Sequence, residues 1–375
     1  MAAPIYDSSA RAWVDVDLEA LVRNARWLAA RARVPLLPMV KADAYGLGAV
    51  PVAQALLGAR QLPIVALGVA AVAEAHALRA AGIGHPLVCF SPLWGDDLRE
   101  ARALHLTPSL GHPGEIEAWR ASGGGAWQLS LDTGMARAGA SATALLADRE
   151  ALGALRLLCA EHPPAGVWTH FHSADERDGS MAEQERCFLE VVQALGLPDS
   201  VPRHCENSAG ILARDGSPWA YVRPGVALYG VRQGFDAPLA MVAHLRARVV
   251  DERLVQTGES VSYGATWRAP RAARIATIAL GYADGYRRHL GNRGAVLLNG
   301  FRAPVVGRVT MDLTMLDVSE VPCAVGDVAT ALGGEGALAL SADEVAAMGD
   351  LSPYELLTGL DARPPRRYLP AAGAS

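Results

Sequence analysis

Residues 35–48 read PLLPMVKADAYGLG. The first half, PLLPMVK (35–41), is an apolar run of strand length closed by a lysine, and the turn beyond it carries Tyr45, Gly46 and Gly48. Seven similar runs follow along the chain: PIVALGV (63–69), PLVCF (86–90), LTPSL (106–110), WQLSLD (127–132), GVWTHF (166–171), PRHCENS (202–208) and YVRPGVALYG (221–230). Helical patterns such as AVAEAHALRAAG (71–82) and MAEQERCFLEVVQALG (181–196) separate them. Upstream, Asp17 is placed to cap a helix whose apolar positions Leu21, Val22, Ala25, Leu28 and Ala29 recur at helical spacing. Eight strands alternating with helices predict an α/β fold, a (β/α)8 TIM-like barrel. A doubly wound dinucleotide fold fits less well, because no GxGxxG follows the first strand.

Past residue 240 the pattern changes. LRARVVDERLV (245–255), ARIATIAL (273–280), GAVLLNG (294–300), APVVGRV (303–309), TMLDVS (314–319) and DVATALG (327–333) are short strands broken by Gly, Pro and Asn. They predict a β-rich C-terminal domain over 241–375, after a barrel over 1–240. Two short helices near the end have capping-box spacing, Ser341 with Glu344 and Ser352 with Glu355, the latter with Pro353 at its first position. The first dozen residues fit either domain.

Composition narrows the function classes. Of 375 residues, 51% are hydrophobic and 19% charged, which excludes a disordered chain and provides for a large core. A net charge of −5 without a basic run argues against a nucleic-acid surface. No apolar stretch reaches the roughly 18 residues a membrane helix needs, and the N-terminus lacks the pattern of a secretory signal. Five scattered cysteines, an odd number without a CxxC pair, read as reduced thiols of a cytoplasmic protein rather than a disulfide framework or zinc site.

Barrel enzymes place their chemistry at the C-terminal ends of the strands. There this chain has Lys41, Asp132 with Arg137, His170, Asn207 with Ser208, and Arg223. An ammonium at the end of a buried strand is costly unless it is paired or deprotonated, and a lysine of lowered pKa suits Schiff-base chemistry. A lysine snorkelling to solvent is the plainer alternative, as are a core histidine at His170 and a surface ion pair at Arg223. The turn through Tyr45, Gly46 and Gly48 offers a hydroxyl and exposed N–H groups to a phosphate.

PMVKADAYGLG (38–48) resembles the pyridoxal-phosphate signature of alanine racemases, fold-type III pyridoxal-phosphate enzymes. LDTGMARAG (131–139), WTHFHSADE (168–176), ENSAG (206–210), RPGVALYG (223–230), VSYGATW (261–267), GYADGYRR (281–288), GRVTMD (307–312) and SPYELLTG…RPPRRY (352–368) are similar to further family motifs, in order, across both domains. The resemblance implies a cytoplasmic isomerase that racemises L-alanine to D-alanine by a two-base mechanism, for peptidoglycan or for D-alanine catabolism. By the same resemblance, Lys41 would bind pyridoxal 5'-phosphate covalently and act as base on one face of the substrate. Tyr263 would be the acid/base on the other face and, in the family, is contributed by the partner of a homodimer. A phenol, with a pKa near ~10, needs neighbours that stabilise its anion for that task.

Arg223 would meet the cofactor's ring nitrogen, with His170 orienting it. Tyr45, Ser208 and the backbone of Gly225 and Val226 would bind the phosphate, with Asn207 behind them. Arg137 would reach the substrate carboxylate, and Met311 would bind substrate through its backbone N–H from the partner subunit. Tyr282, Asp312, Asp175, Arg308 and Tyr354 would line the entrance, though a solvated surface role fits these outer residues as well. No metal is implied: His170, His172 and Cys205 do not reproduce the ligand pattern of zinc-binding relatives.

Three positions depart from the family pattern. Ser130 stands where a carboxylated lysine often braces the DTGM arginine, Thr310 replaces a cysteine, and His172 replaces a small residue. Ser130 leaves open a serine or broad-specificity amino-acid racemase. A fold-type III decarboxylase lacks support, since neither its reactive cysteine segment nor its glycine-rich phosphate loop is found. A non-catalytic pyridoxal-phosphate carrier would resemble the barrel alone.

Overall fold

The computed structural model describes residues 10–176 and 178–369. Strands Leu67–Val69, Leu87–Cys89, Leu106–Leu110, Gln128–Asp132, Gly166–Trp168 and Arg203–His204 lie side by side, each parallel to the next. The expected runs at 35–41 and 221–230 close the ring, but as bridges rather than full strands. Leu36 bridges Ile64 on one side and Val222 on the other, and Met39 bridges Gly68. Leu37 N–H donates to Val222 O at 2.8 Å, and Ala220 N–H to Arg203 O at 3.0 Å. Pro35, Pro38 and Pro224 carry no N–H for a ladder, which explains the sparse pairing. Beyond Pro224 the expected strand gives way to a 3₁₀ turn, Val226–Tyr229.

Helices pack outside the ring. The helix Leu18–Ala32 starts where expected, the Asp17 carboxylate accepting Ala20 N–H at 2.8 Å, and it buries Leu21, Val22, Ala25 and Leu28. Buried Asn24 on this helix donates to Leu228 O and Ala240 O and accepts from Ala240 N–H, tying it to the turn after Arg223. Helices Val72–Ala80 and Ser180–Ala194 fall within a residue or two of the predicted patterns.

The second unit is organised around one long strand, Ala243–Val255. It pairs antiparallel with Ala12–Asp17, Ala273–Ile278 and Val328–Leu332. Strand Ala12–Asp17 also pairs in parallel with Arg366–Leu369, so both ends of the described chain enter this sheet. Asn299 and Gly300, both at positive φ, make a two-residue hairpin between Ala295–Leu298 and Phe301–Pro304. The capping boxes form only in part. Ser341 accepts from Glu344 N–H, but the Glu344 carboxylate pairs with Arg302, and Ser352 accepts from Tyr354 N–H rather than from Glu355. One hydrophobic core runs through both units, and among the described residues no helix is long and apolar enough to cross a membrane.

Candidate active site

The C-terminal rims of the barrel strands enclose a cavity of about 640 Å³ lined by Lys41, Tyr45, Arg137, His170, Ser208, Arg223, Gly225 and Val226 among others. Eight of the ten residues expected at the site therefore meet in one place. Its floor is Arg223, only 3% exposed. The guanidinium donates to the carbonyls of His204 (2.8 Å), Thr169 (2.7 Å) and Cys205 (2.9 Å), and to His204 Nδ1 at 2.8 Å. It also lies 5.1 Å from the ring centroid of Trp168, a cation–π contact. His170 Nδ1 is farther off, at 3.4 Å.

The firmer orienting histidine is thus His204, which sequence reasoning missed. Because His204 Nδ1 accepts from Arg223, its proton sits on Nε2, which donates to Gln128 Oε1 at 2.8 Å; Gln128 Nε2 then reaches the Tyr221 hydroxyl at 3.2 Å. Burial, then the charge of Arg223, holds both His204 and His170 well below the usual histidine range, so both rings are neutral. Burial brings Arg223 itself down to about 10. The available signal was an unusual run of polar side chains, Gln128, His204 and Tyr221, inside barrel strands.

Lys41 stands at the head of a strained turn. Ala42, Asp43, Ala44 and Tyr45 all have φ between 52° and 57°, a full left-handed turn of non-glycine residues. Several bonds impose it. Glu74 accepts Ala42 N–H at 2.8 Å and Ala70 N–H at 2.7 Å, Asp43 accepts Ala49 N–H at 2.7 Å, and Arg366 donates twice to Gly46 O. Tyr45 packs on Tyr229, whose hydroxyl donates to Met39 O. The Lys41 ammonium has no hydrogen-bond partner among the described residues. Burial lowers its pKa, Arg137 and Arg223 add to this, and Glu74 opposes it.

Opposite Lys41, Ser208 Oγ accepts Gly225 N–H at 2.9 Å and Ala227 N–H at 3.1 Å. The Tyr45 hydroxyl fills the space where a Cβ on Gly225 would fall, 2.4 Å away, so only glycine lets this backbone and the tyrosine meet. Burial raises the Tyr45 phenol, which stays protonated as a donor. Asn207 caps the following helix, accepting Gly210 N–H at 3.0 Å, and so stands behind the cradle.

Arg137 is carried by a turn wound on Asp132, whose carboxylate accepts Gly134 and Arg137 N–H, each at 2.9 Å. Burial pushes Asp132 up, but the backbone N–H groups of residues 134–137 outweigh it and hold the carboxyl below its ordinary range. Buried Gln184 joins this turn to the next strand, donating to Thr133 Oγ1 and His170 O and accepting from His172 N–H. Behind Arg137 lies a smaller cavity of about 180 Å³, lined by Ser109, Glu115, Ser130 and Gly139 among others.

Tyr263 and Met311 are the two expected site residues that do not line the main cavity. They are 72% and 53% exposed on the β-rich unit, where Tyr263 edges a groove of about 530 Å³ with Val250, Leu313 and Met315. Tyr354 and Asp175 do line the main cavity, as does His172, whose Nδ1 lies 2.8 Å from Ser173 Oγ.

Residues 16–233 match the family model "Alanine racemase, N-terminal domain", and residues 242–368 match "Alanine racemase, C-terminal domain". The chain is 38% identical to an alanine racemase of Sorangium cellulosum over 88% of this chain and 90% of that protein. Among solved structures, an alanine racemase of D-cycloserine-producing Streptomyces lavendulae superposes with a TM-score of 0.88 at 33% identity, covering 96% of this chain and 97% of its own. An alanine racemase of Bartonella henselae with covalently bound pyridoxal phosphate gives 0.85 at 28% identity, covering 96% and 100%. With both of its units matched in order and a barrel rim built around a lysine and a buried arginine, this chain belongs to the alanine racemase family of isomerases.

Proposed function

We propose that the protein interconverts L- and D-alanine with pyridoxal 5'-phosphate bound to Lys41, in the cytoplasm, as a homodimer of two-domain chains divided near residue 240. The carrying observation is a half-buried lysine of lowered pKa, without a hydrogen-bond partner among the described residues, in one cavity with a buried arginine and a hydroxyl–glycine cradle. The residues fit the cofactor. The close approach of Tyr45 to Gly225, beside Ser208 and Val226, suits a phosphate, and Arg223 suits the ring nitrogen.

When bound, pyridoxal phosphate supplies an electron sink conjugated to the substrate's Cα. Lys41, with its lowered pKa, takes or returns the Cα proton on one face, and the Tyr263 hydroxyl of the partner subunit serves the other face. Arg223 donates a hydrogen bond without surrendering a proton: burial lowers its pKa only to about 10, so it stays protonated at neutral pH. A donor of this kind would leave the cofactor's ring nitrogen uncharged, which would moderate the electron sink and limit side reactions. Arg137 receives the substrate carboxylate together with Met311 N–H of the partner subunit. The exposed groove beside Tyr263 and Leu313 gives a second copy an apolar face to cover.

The test is to incubate the protein, supplied with pyridoxal phosphate, with L-alanine and separately with L-serine, L-lysine and L-arginine, and to follow D-enantiomers by chiral chromatography. D-alanine alone supports the proposal. Comparable conversion of the larger acids favours a broad racemase, the reading that Ser130 and the cavity behind Arg137 support. No conversion with cofactor bound overturns both in favour of a carrier. Full activity in a proven monomer would reject the shared site.

A further inference from the structure

Three sequence motifs far apart in the chain meet around a single guanidinium. Arg363, in the RPPRRY segment, donates through Nε to Asp284 Oδ1 at 2.6 Å, in the GYADGY segment. Through its other nitrogens it reaches Asp312 Oδ1 at 2.7 Å and Met311 O at 3.3 Å, in the TMD segment. Asp284 is 1% exposed, and its second oxygen accepts Gly281 N–H at 2.8 Å, so it is a fixed anchor for the arginine. Gly281 in turn lies against the tip: a Cβ there would fall 2.3 Å from Met311 O. Tyr282 N–H donates to Thr310 O, Ala283 N–H to Met311 O, and Arg11 to Asp312 O.

Every carbonyl from Thr310 to Asp312 is therefore tied inward. Among the described residues Met311 N–H has no acceptor, and it sits in a segment whose carbonyls and Asp312 side chain are held. Arg363 binds the Met311 carbonyl and the Asp312 side chain to a buried carboxylate. Its planar fork does this with separate nitrogens, which a lysine cannot reproduce.

We propose that Arg363 is a positioning residue for racemisation: it sets the Met311–Asp312 segment so that Met311 N–H meets the substrate carboxylate in the partner subunit's cavity. This rests on the proposed reading that Met311 and Tyr263 act across a dimer. A carboxylate contact is made alike before and during proton transfer, so its loss raises KM and leaves kcat nearly unchanged. Arg363→Ala is expected to raise KM for alanine about tenfold in both directions. Arg363→Lys, which keeps the charge and one contact, is expected to recover part of that loss.

Hybrid dimers separate this inference from the reading beneath it. Mixing Lys41→Ala and Tyr263→Phe chains leaves one intact site, with Lys41 from the Tyr263→Phe chain and Tyr263 and Met311 from the Lys41→Ala chain. Arg363→Ala placed on the Lys41→Ala chain should raise KM of the hybrid about tenfold; on the Tyr263→Phe chain it should leave KM unchanged. Inactive hybrids, with hybrid formation verified by native mass spectrometry, would overturn the shared-site reading. Active hybrids whose KM is the same wherever Arg363→Ala is placed would overturn the role of Arg363 alone. A fall in kcat with intact KM, or loss of the dimer on sedimentation, would assign Arg363 to fold stability and also reject the inference.

Discussion

Glu206 precedes Asn207 and Ser208 in the cavity wall, its carbonyl accepts Arg223 N–H at 2.9 Å, and its side chain is fully buried. Arg214 Nε lies 3.1 Å from Oε1, and Arg214 is also held by Glu185 at 2.8 Å. Burial pushes the Glu206 carboxyl from 4.5 up to about 7, with Arg214 and then the Ser217 hydroxyl pulling it back only in part. Since the folded pKa lies above the unfolded one, the unfolded chain gives up its proton first as pH rises from about 4.5 to about 7. Stability contributed by this group therefore falls through that window and levels off above it. The native protein at pH 8 carries a penalty about 2–3 kcal/mol larger than at pH 5.

Glu206→Gln keeps the shape and removes the ionisation, while Arg214 retains Glu185. The variant should unfold much like the parent near pH 5 and be about 2–3 kcal/mol more stable at pH 8. For a chain of this length that is a Tm gain of about 3 °C. Calorimetry of parent and variant in parallel across pH 5–8 checks it. A Tm difference that does not change with pH, or one that favours the parent at pH 8, would refute the reasoning.

Three further outcomes follow from the site. Lys41→Ala should abolish the visible absorbance of lysine-bound pyridoxal phosphate, and a retained band would move the linkage to another residue. Tyr263→Phe should lower kcat/KM alike in both directions, as the equal energies of the enantiomers require, while Cα–deuterium exchange in heavy water persists for the enantiomer whose proton faces Lys41 and fails for the other; a small loss with exchange retained by both enantiomers would discard its acid/base role. Gly225→Ala forces a methyl to within 2.4 Å of the Tyr45 hydroxyl and should weaken cofactor binding by about tenfold or more, read by fluorescence titration. Unchanged affinity would remove Tyr45 and Gly225 from the phosphate cradle.

The barrel's staves were legible because each was an apolar run bounded by turn residues, but their lengths were not. Ladder pairing stops at Trp168 and His204, where the chain departs to carry His170 and Asn207, and prolines reduce the first and last staves to bridges. The place of Ala12–Asp17 depended on a pairing with Ala243–Val255 more than two hundred residues away, which no local pattern encodes. Lys41, Arg223 and Ser208 were readable because motifs fix them locally. His204, Gln128 and Gln184 were not, since their roles arise only when neighbouring strands and helices converge. The left-handed turn at 42–45 was hidden because alanine and aspartate do not ordinarily mark positive φ.

The balance of charge in the main cavity favours a particular kind of ligand. Lys41, Arg137 and Arg223 line it against one carboxylate, Asp175. Among the described residues none of the three is bonded to an anion: Arg223 is satisfied by carbonyls and a neutral imidazole, Lys41 has no hydrogen-bond partner, and Arg137 is exposed. Their mutual repulsion helps lower the pKa of Lys41. A doubly charged phosphate and a substrate carboxylate would relieve that repulsion, so the field that prepares Lys41 as a nucleophile also draws in the anions. With such anions bound, the same relief would raise the affinity of Lys41 for a proton above that in the empty cavity. A site with these cations paired internally would draw such anions less strongly and would lower the pKa of Lys41 less.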